Sequence, residues 1–226
     1  MLIGILQCGH YPDDLQRESG DYGDMFQRLL SGQGFDFALY PVVDDIFPAD
    51  AEACDGWLIT GSRHGAYEDL PWIPPLEELI RQIHAAGRPL VGICFGHQII
   101  AQAMGGKVEK FTGGWSVGRQ TYRNAEGTFS LNAWHQDQVT ERPPGARVVA
   151  ESDFCANAAL AYGDRTYTIQ PHPEFSATEV TGLLETRGPG LVPDALIASA
   201  KASLGGSLDT TAEVRRLTNT LKGISA

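Results

Sequence analysis

Short apolar runs that alternate with amphipathic segments are the feature of this sequence that most constrains its fold. Four runs bounded by Gly, Pro or Asp have the length and composition of buried strands, at residues 2–7, 35–43, 56–61 and 89–94. Residues 22–30 and 73–87 instead repeat apolar side chains at helical spacing, and the second segment opens with prolines. Strands that alternate with helices form a parallel sheet that helices cover on both faces. We therefore predict an α/β fold with an open, mainly parallel sheet.

The second half of the chain contains shorter and more alternating runs. Hairpin and edge strands added to the parallel core are predicted from six segments between residues 107 and 170, namely "KVEKF", "VGRQTY", "FSLNA", "ARVVA", "ALAY" and "TYTIQ". A helical pattern follows Phe175, with a break at 187–190, and residues 208–225 are predicted as an amphipathic helix that packs back on the domain. The sequence thus predicts one domain over residues 1–190 and a helical C-terminal extension of the same domain over 191–226.

Composition and charge exclude several classes of protein. The 28 acidic and 17 basic residues among 226 give a net charge of −11, which repels polyanions, so nucleic-acid binding is not expected. The first residues lack a secretory signal pattern, and no apolar run is long enough to span a membrane. A cytoplasmic protein is predicted. The four cysteines stand singly, and no HExxH or C-x2-C spacing occurs, so neither a disulfide framework nor a metal site is expected.

Cys94 lies where the predicted strand 89–94 meets a predicted helix that begins at Phe95. Gly92 and Gly96 flank it at two residues on either side, which is the G-x-C-x-G form of a nucleophile elbow. The helix N-terminus favours a thiolate over a thiol, and the amide of Phe95 would point at an oxyanion formed on an attacked carbonyl. A cysteine that merely packs under a glycine-rich turn is the alternative.

The segment "TIQPHPEF" offers a base for such a nucleophile. Pro171 and Pro173 disfavour a helix, so an extended segment is predicted in which His172 and Glu174 lie on the same side. The carboxylate would then orient the imidazole and stabilise its protonated form. A solvent-exposed loop histidine beside a glutamate is the alternative for this segment.

"GICFGHQ" and, nearly eighty residues later, "QPHPE" resemble the motifs of the class I glutamine amidotransferases, the triad type with Cys, His and Glu in that order. The resemblance extends to about residue 190 and is greatest to stand-alone members similar to the amidotransferase domain of GMP synthase. It implies a flavodoxin-like open α/β sheet, Cys94, His172 and Glu174 as catalytic residues, and no cofactor. It also implies a γ-glutamyl substrate.

The same resemblance implies roles for further residues. The turn in "TGSRHG" would supply the amide of Ser62 as a second oxyanion donor beside that of Phe95, with Gly61 allowing the turn. Gln98 would help to hold the substrate. The backbone of the strand within "GGWSVG" would contact the α-amino and α-carboxylate groups of the substrate at Trp115, Ser116 and Val117.

"WHQDQV" resembles the His-x-Asp-x-Val stretch that the family places at the rim of the pocket. The resemblance implies that His135 contributes to substrate binding at this rim. It could also act as an alternative base, but a structural histidine bonded to neighbouring backbone or to Asp137 is favoured over that role. Trp115 and Trp134 could form pocket walls. The other histidines and cysteines are expected to be packed, surface or loop residues: His10, His64, His84, His97, Cys8, Cys54 and Cys155.

The sequence is compatible with three functions. The chain could release ammonia from glutamine for a partner synthetase, since it carries no P-loop motif and too few residues after "HPEF" for a synthetase domain. It could instead be a free-standing hydrolase of γ-glutamyl peptides or amides. A non-catalytic binding protein on the same fold is the third possibility.

Overall fold

A computed structural model describes residues 1–224 and contains eleven strands and seven α-helices in that range. Residues 225 and 226, which end the predicted C-terminal extension, lie outside the described residues. The strands are β1 (Leu2–Leu6), β2 (Asp36–Tyr40), β3 (Gly56–Ile59), β4 (Leu90–Ile93), β5 (Lys107–Lys110), β6 (Ser116–Asn124), β7 (Gly127–His135), β8 (Asp137–Glu141), β9 (Arg147–Glu151), β10 (Ala159–Tyr162) and β11 (Thr166–Ile169). The helices are α1 (Asp13–Ser19), α2 (Tyr22–Leu29), α3 (Ile73–Ala85), α4 (Phe95–Ala103), α5 (Ala177–Thr186), α6 (Asp194–Ser203) and α7 (Thr210–Leu221).

The main sheet has nine strands in the order β2-β1-β3-β4-β11-β10-β9-β6-β7. The first five strands of this order are parallel to one another, and the remaining four continue the sheet with antiparallel pairing. The predicted fold class, an open and mainly parallel α/β sheet with added antiparallel strands, is confirmed. Parallel strands all end at one edge, so the segments after β1, β3, β4 and β11 meet there.

Two strands differ from their predicted positions. The segment around β11 was expected among the added edge strands, but β11 pairs in parallel with β4 at the centre of the sheet. All four of its residues are buried, and a short, fully buried run has no alternation that would distinguish a central strand from an edge strand. The segment around β5 does not join the main sheet; it pairs with β8, a strand absent from the prediction, in a separate two-stranded sheet.

Helices cover both faces of the sheet. On one face, α3 and α4 contribute the buried residues Leu76, Ile80 and Ile99 to a core that also contains Trp57 of β3. On the other face, Phe26 of α2 and Leu217 and Leu221 of α7 pack against the central strands. The C-terminal helix α7 therefore completes one side of the hydrophobic core. None of the helices described is long and apolar enough to cross a lipid bilayer.

The junction between β4 and α4 depends on two close backbone approaches. A Cβ atom at Gly96 would overlap with the carbonyl oxygen of Ile59, the last residue of β3. A Cβ atom at Gly92 would lie 2.6 Å from the backbone of Gly96 itself. The amide of Gly96 donates to the carbonyl of Thr60 at 3.1 Å, which fixes the start of α4 against the end of β3. Glycine at both positions is required by this packing.

Gly96→Ala tests this junction. We expect a loss of about 1–3 kcal/mol in the free energy of unfolding, because backbone atoms rather than a flexible side chain would have to move. Gly205→Ala is the matched control, since nothing lies within 4 Å of a Cβ atom at that position. Urea unfolding of both variants measures the difference, and equal stabilities would contradict the assigned role of Gly96.

Candidate active site

Cys94 occupies the turn between β4 and α4 in a backbone conformation that is unusual for a non-glycine residue. Its φ is 53° and its ψ −103°, and within the described chain only Asp45 is another non-glycine residue with positive φ. The amide of Cys94 donates to the carbonyl of Ile169 in β11 at 2.9 Å, which anchors the strained turn to the sheet. The residue is buried, with 6% of its surface exposed. Strain held in place by surrounding packing is typical of functional positions.

The His172 imidazole and the Glu174 carboxylate are in direct contact. Nδ1 of His172 lies 2.6 Å from Oε1 of Glu174, and both side chains are buried. The predicted extended conformation is wrong, because Pro173 and Glu174 form a turn in which the amide of Phe175 approaches the carbonyl of His172 at 3.4 Å. Glu174 reaches the ring across this turn. The amide of His172 donates to the carbonyl of Asn132 at 2.8 Å, which holds the turn against β7.

The protonated form of His172 is electrostatically favoured. Burial acts to lower its pKa, but the carboxylate of Glu174 and the sulfur of Cys94 outweigh this effect and raise the pKa to about 10. Nε2 is buried and makes no hydrogen bond of standard geometry to any residue in 1–224. Cys94 and Glu174 thus act electrostatically on the same ring.

Two backbone segments lie next to Cys94 and His172. Phe95 is the first residue of α4, so its amide has no carbonyl partner within the helix. Gly61 lies against His172, since a Cβ atom there would be 3.2 Å from Cε1 of the imidazole. Ser62 follows directly and is half-buried, with its Oγ accepting from the amide of His64 at 3.1 Å. The turn after β3 therefore lies beside the imidazole.

The residues predicted to bind substrate have varied environments. Nε2 of Gln98 donates to the carbonyl of Asp137 at 2.9 Å and to Oε1 of Gln170 at 3.1 Å, so this amide group is part of the protein's own network. Ser116 is buried and opposite His135 in the β6–β7 pair. The side chain of Val117 is in the hydrophobic core, which leaves only its backbone for a substrate.

Two aromatic and two histidine side chains complete this region. The rings of Trp115 and Trp134 lie 5.8 Å apart and are half-buried.

Nδ1 of His135 lies 3.2 Å from the carbonyl oxygen of Asp137, the same oxygen that accepts from Gln98. Burial and the nearby His172 lower the pKa of His135 to about 3. His97 is fully buried with Nδ1 2.8 Å from Oγ1 of Thr168, and burial and His135 lower its pKa to about 3 as well.

Sequence reasoning did not anticipate an aromatic group beneath the imidazole. The Phe175 ring stacks on the His172 ring with centroids 4.1 Å apart and an interplanar angle of 5°. Tyr22, the first residue of α2, also stacks on Phe175, with ring centroids 6.3 Å apart. The position of Phe175 three residues after His172 was visible in "HPEF", but the turn that superimposes the rings was not. No sequence signal identified Tyr22.

Outside this region, His10 has more partners than expected. Its Nδ1 lies 2.7 Å from Asp21 and its Nε2 3.0 Å from Asp44, so it links the segment after β1 to two other loops. His64 contacts Glu68 at 3.2 Å. The described residues contain no group of three or more His, Cys, Asp or Glu side chains that could hold a metal ion.

Comparison with known proteins identifies the family. A family model described as glutamine amidotransferase class-I matches residues 21–186. Gamma-glutamyl peptidase 3 of Arabidopsis thaliana is 31% identical over 179 residues, which cover 72% of both chains. The glutamine-hydrolyzing GMP synthase of Thermus thermophilus is also 31% identical, over 70% of this chain and 33% of that protein. The chain belongs to the class I glutamine amidotransferase family.

A solved structure agrees with this assignment at the level of the fold. The crystal structure of a glutamine amido transferase from Methylobacillus flagellatus superimposes with a TM-score of 0.76, covering 99% of this chain and 94% of that chain at 24% identity. The similarity includes the C-terminal helices, which lie beyond the residues matched by the family model.

The buried neutral state of His97 predicts a pH dependence of stability. Its folded pKa of about 3 is below the ordinary value of 6.5, so its contribution is complete above pH 6.5 and is lost as the pH falls towards 3. Urea unfolding measures the free energy of unfolding at pH 7 and at pH 4.5. Between these values we expect the free energy of unfolding of His97→Asn to fall by about 2 kcal/mol less than that of the unaltered chain. His84→Asn is the control on an exposed residue of α3. Identical pH dependences in all three proteins would contradict this role.

Proposed function

We propose that this protein hydrolyses γ-glutamyl amide bonds through a thioester on Cys94. The single observation that carries the proposal is the placement of a strained elbow cysteine beside a buried imidazole that is itself paired with a carboxylate, Glu174. A nucleophile, a base and a group that orients the base are the components of covalent acyl transfer. Membership of the class I glutamine amidotransferase family supports the same chemistry.

In the first step, the thiolate of Cys94 attacks the γ-carbonyl carbon and the carbonyl oxygen acquires negative charge. The amides of Phe95 and Ser62 are the proposed donors to this oxyanion, each contributing about 3–4 kcal/mol to lowering the barrier. The C–N bond then breaks as protonated His172 transfers its Nε2 proton to the departing amine. The raised pKa of His172 supports this assignment, because the ring is protonated at neutral pH before the amine leaves.

In the second step, water attacks the γ-glutamyl thioester. His172, now neutral, accepts a proton from the water as the C–O bond forms, and the C–S bond breaks to return the thiolate. Glutamate is released and the imidazolium is restored, so one water is consumed for each amide bond cleaved. Glu174 stabilises the imidazolium at both ends of the cycle through its contact with Nδ1.

We infer that γ-glutamyl peptides are the substrates. The relative named gamma-glutamyl peptidase 3 shares 31% identity over 72% of this chain and 72% of its own length, so the two proteins match over comparable lengths. Hydrolysis of a γ-glutamyl peptide by water needs no ammonia acceptor.

Glutamine hydrolysis that supplies ammonia to a partner synthetase is the second candidate. The 31% identity to the glutamine-hydrolyzing GMP synthase of Thermus thermophilus favours it. The two candidates share the proposed chemistry at Cys94 and differ in the group attached to the γ-carbonyl.

Replacement of Cys94 tests the nucleophile. Cys94→Ala should reduce hydrolysis of a γ-glutamyl substrate by roughly 10³-fold or more, since no thioester can form. Cys54→Ala is the matched control, because Cys54 is also buried but precedes β3 at the opposite end of the sheet. The trapped γ-glutamyl adduct should appear by mass spectrometry on position 94 in the unaltered protein. A normal rate in Cys94→Ala would refute the proposed mechanism.

A substrate panel separates the two candidate functions. We expect the isolated chain to release glutamate from γ-glutamyl dipeptides at least about 10-fold more efficiently than from glutamine, as measured by kcat/KM. Matched α-glutamyl dipeptides should not be cleaved, since their scissile carbonyl is attached to a different carbon. Efficient turnover of glutamine with no cleavage of γ-glutamyl dipeptides would instead favour the ammonia-supplying role.

A further inference from the structure

The ring of Phe175 stacks in parallel on the ring of His172, a geometry that hydrophobic packing alone does not require. The two rings are parallel within 5° and their centroids are 4.1 Å apart, whereas most aromatic pairs in this protein are tilted or more widely separated. Phe175 is 1% exposed and His172 2% exposed, so water does not compete for this face of the imidazole. One complete face of His172 is therefore covered by a π system.

The backbone holds both rings in this register. Asn132 of β7 accepts the amide proton of His172 through its carbonyl at 2.8 Å, and its Nδ2 donates to the carbonyl of Phe175 at 3.0 Å. One buried residue thus anchors both ends of the turn. Tyr22 at 6.3 Å and Tyr11 at 5.9 Å also pack on the Phe175 ring.

We propose that Phe175 is a positioning residue, whose ring face holds His172 parallel to it and stabilises the protonated imidazole by a cation–π interaction. The negative face of an aromatic ring attracts a cation, and the attraction is larger when both partners are desolvated. The stack also restricts rotation of the imidazole, so Nδ1 stays on Glu174 while Nε2 stays towards Cys94. This inference rests on the proposed function of His172 as the acid and base of the reaction.

Other groups around His172 also influence its protonation. The carboxylate of Glu174 and the sulfur of Cys94 favour the protonated ring, and the nearby His135 is neutral because burial lowers its pKa. Tyr22, whose pKa burial raises well above its ordinary value, is also neutral. Phe175 carries no charge, so its replacement by another uncharged side chain leaves the charges of Glu174, Cys94 and His135 in place.

The test is the pKa of His172 in the full chain, followed by NMR of histidine labelled at Cε1, with the resonance assigned from a His172→Gln sample. Phe175→Met retains volume and burial but removes the π face, and we expect the pKa of His172 to fall by about 0.5–1 unit. Phe175→Tyr retains the ring and should leave the pKa unchanged. Phe129→Met removes a ring from a separate stack with Tyr122 and is the control.

A second measurement tests the cation–π interaction even if Phe175→Met does not fold. Trifluorinated phenylalanine placed at position 175 alone keeps the shape of the ring and weakens its negative face, so the pKa of His172 should again fall. The basic limb of the kcat/KM profile should move to lower pH in parallel, with KM unchanged. An unchanged pKa with the fluorinated ring would overturn the proposal. Because the NMR readout needs no turnover, it is independent of the Cys94→Ala result, which tests the proposed function separately.

Discussion

The close contact between the start of α4 and the end of β3 is the constraint on which the rest of the site depends. It is possible only because position 96 lacks a side chain, and it leaves Cys94 in a positive-φ conformation at the carboxyl edge of the sheet. The neighbouring parallel strands β3 and β11 end at the same edge of the sheet. Gly61 follows β3, and His172 follows β11, the parallel partner of β4. The candidate site is thus a consequence of strand order combined with one backbone approach.

Burial has opposite consequences for the three histidines behind this edge, and the difference lies in their partners. His172 has a carboxylate at 2.6 Å and a sulfur nearby, so its charged form is stabilised in spite of desolvation. Nδ1 of His135 faces a carbonyl oxygen and Nδ1 of His97 a hydroxyl oxygen. Burial together with a neighbouring histidine, His172 for His135 and His135 for His97, lowers the pKa of both rings and keeps them neutral. Of these three buried histidines, His172 is therefore protonated, whereas His135 and His97 are neutral. This arrangement concentrates positive charge at the ring beside Cys94.

Several elements could be predicted because their signals are local. The first four strands, α2 and α3 follow from apolar periodicity and from Gly and Pro at their ends, and the elbow follows from glycines at fixed offsets from Cys94. β11 could not be placed, because its four residues are buried on every side and carry no directional pattern. β8 was missed, and its partner β5 lies outside the main sheet, since pairing between distant segments leaves no mark on either segment alone. The short helix α1 also lacked a recognisable apolar stripe.

By itself, the sequence determined the fold class, the chemical types of the side chains in the candidate site and the backbone position of the elbow. These depend on interactions between residues close in the chain, where periodicity and glycine placement act directly. Only the tertiary structure decided that Gln98 donates to the protein's own carbonyl and amide groups, that Glu174 reaches His172 across a turn, and that Phe175 lies flat on the imidazole. Each of these depends on distances between segments far apart in sequence or on the exact path of a turn. Such distances are fixed by packing of the whole domain, which no local pattern encodes.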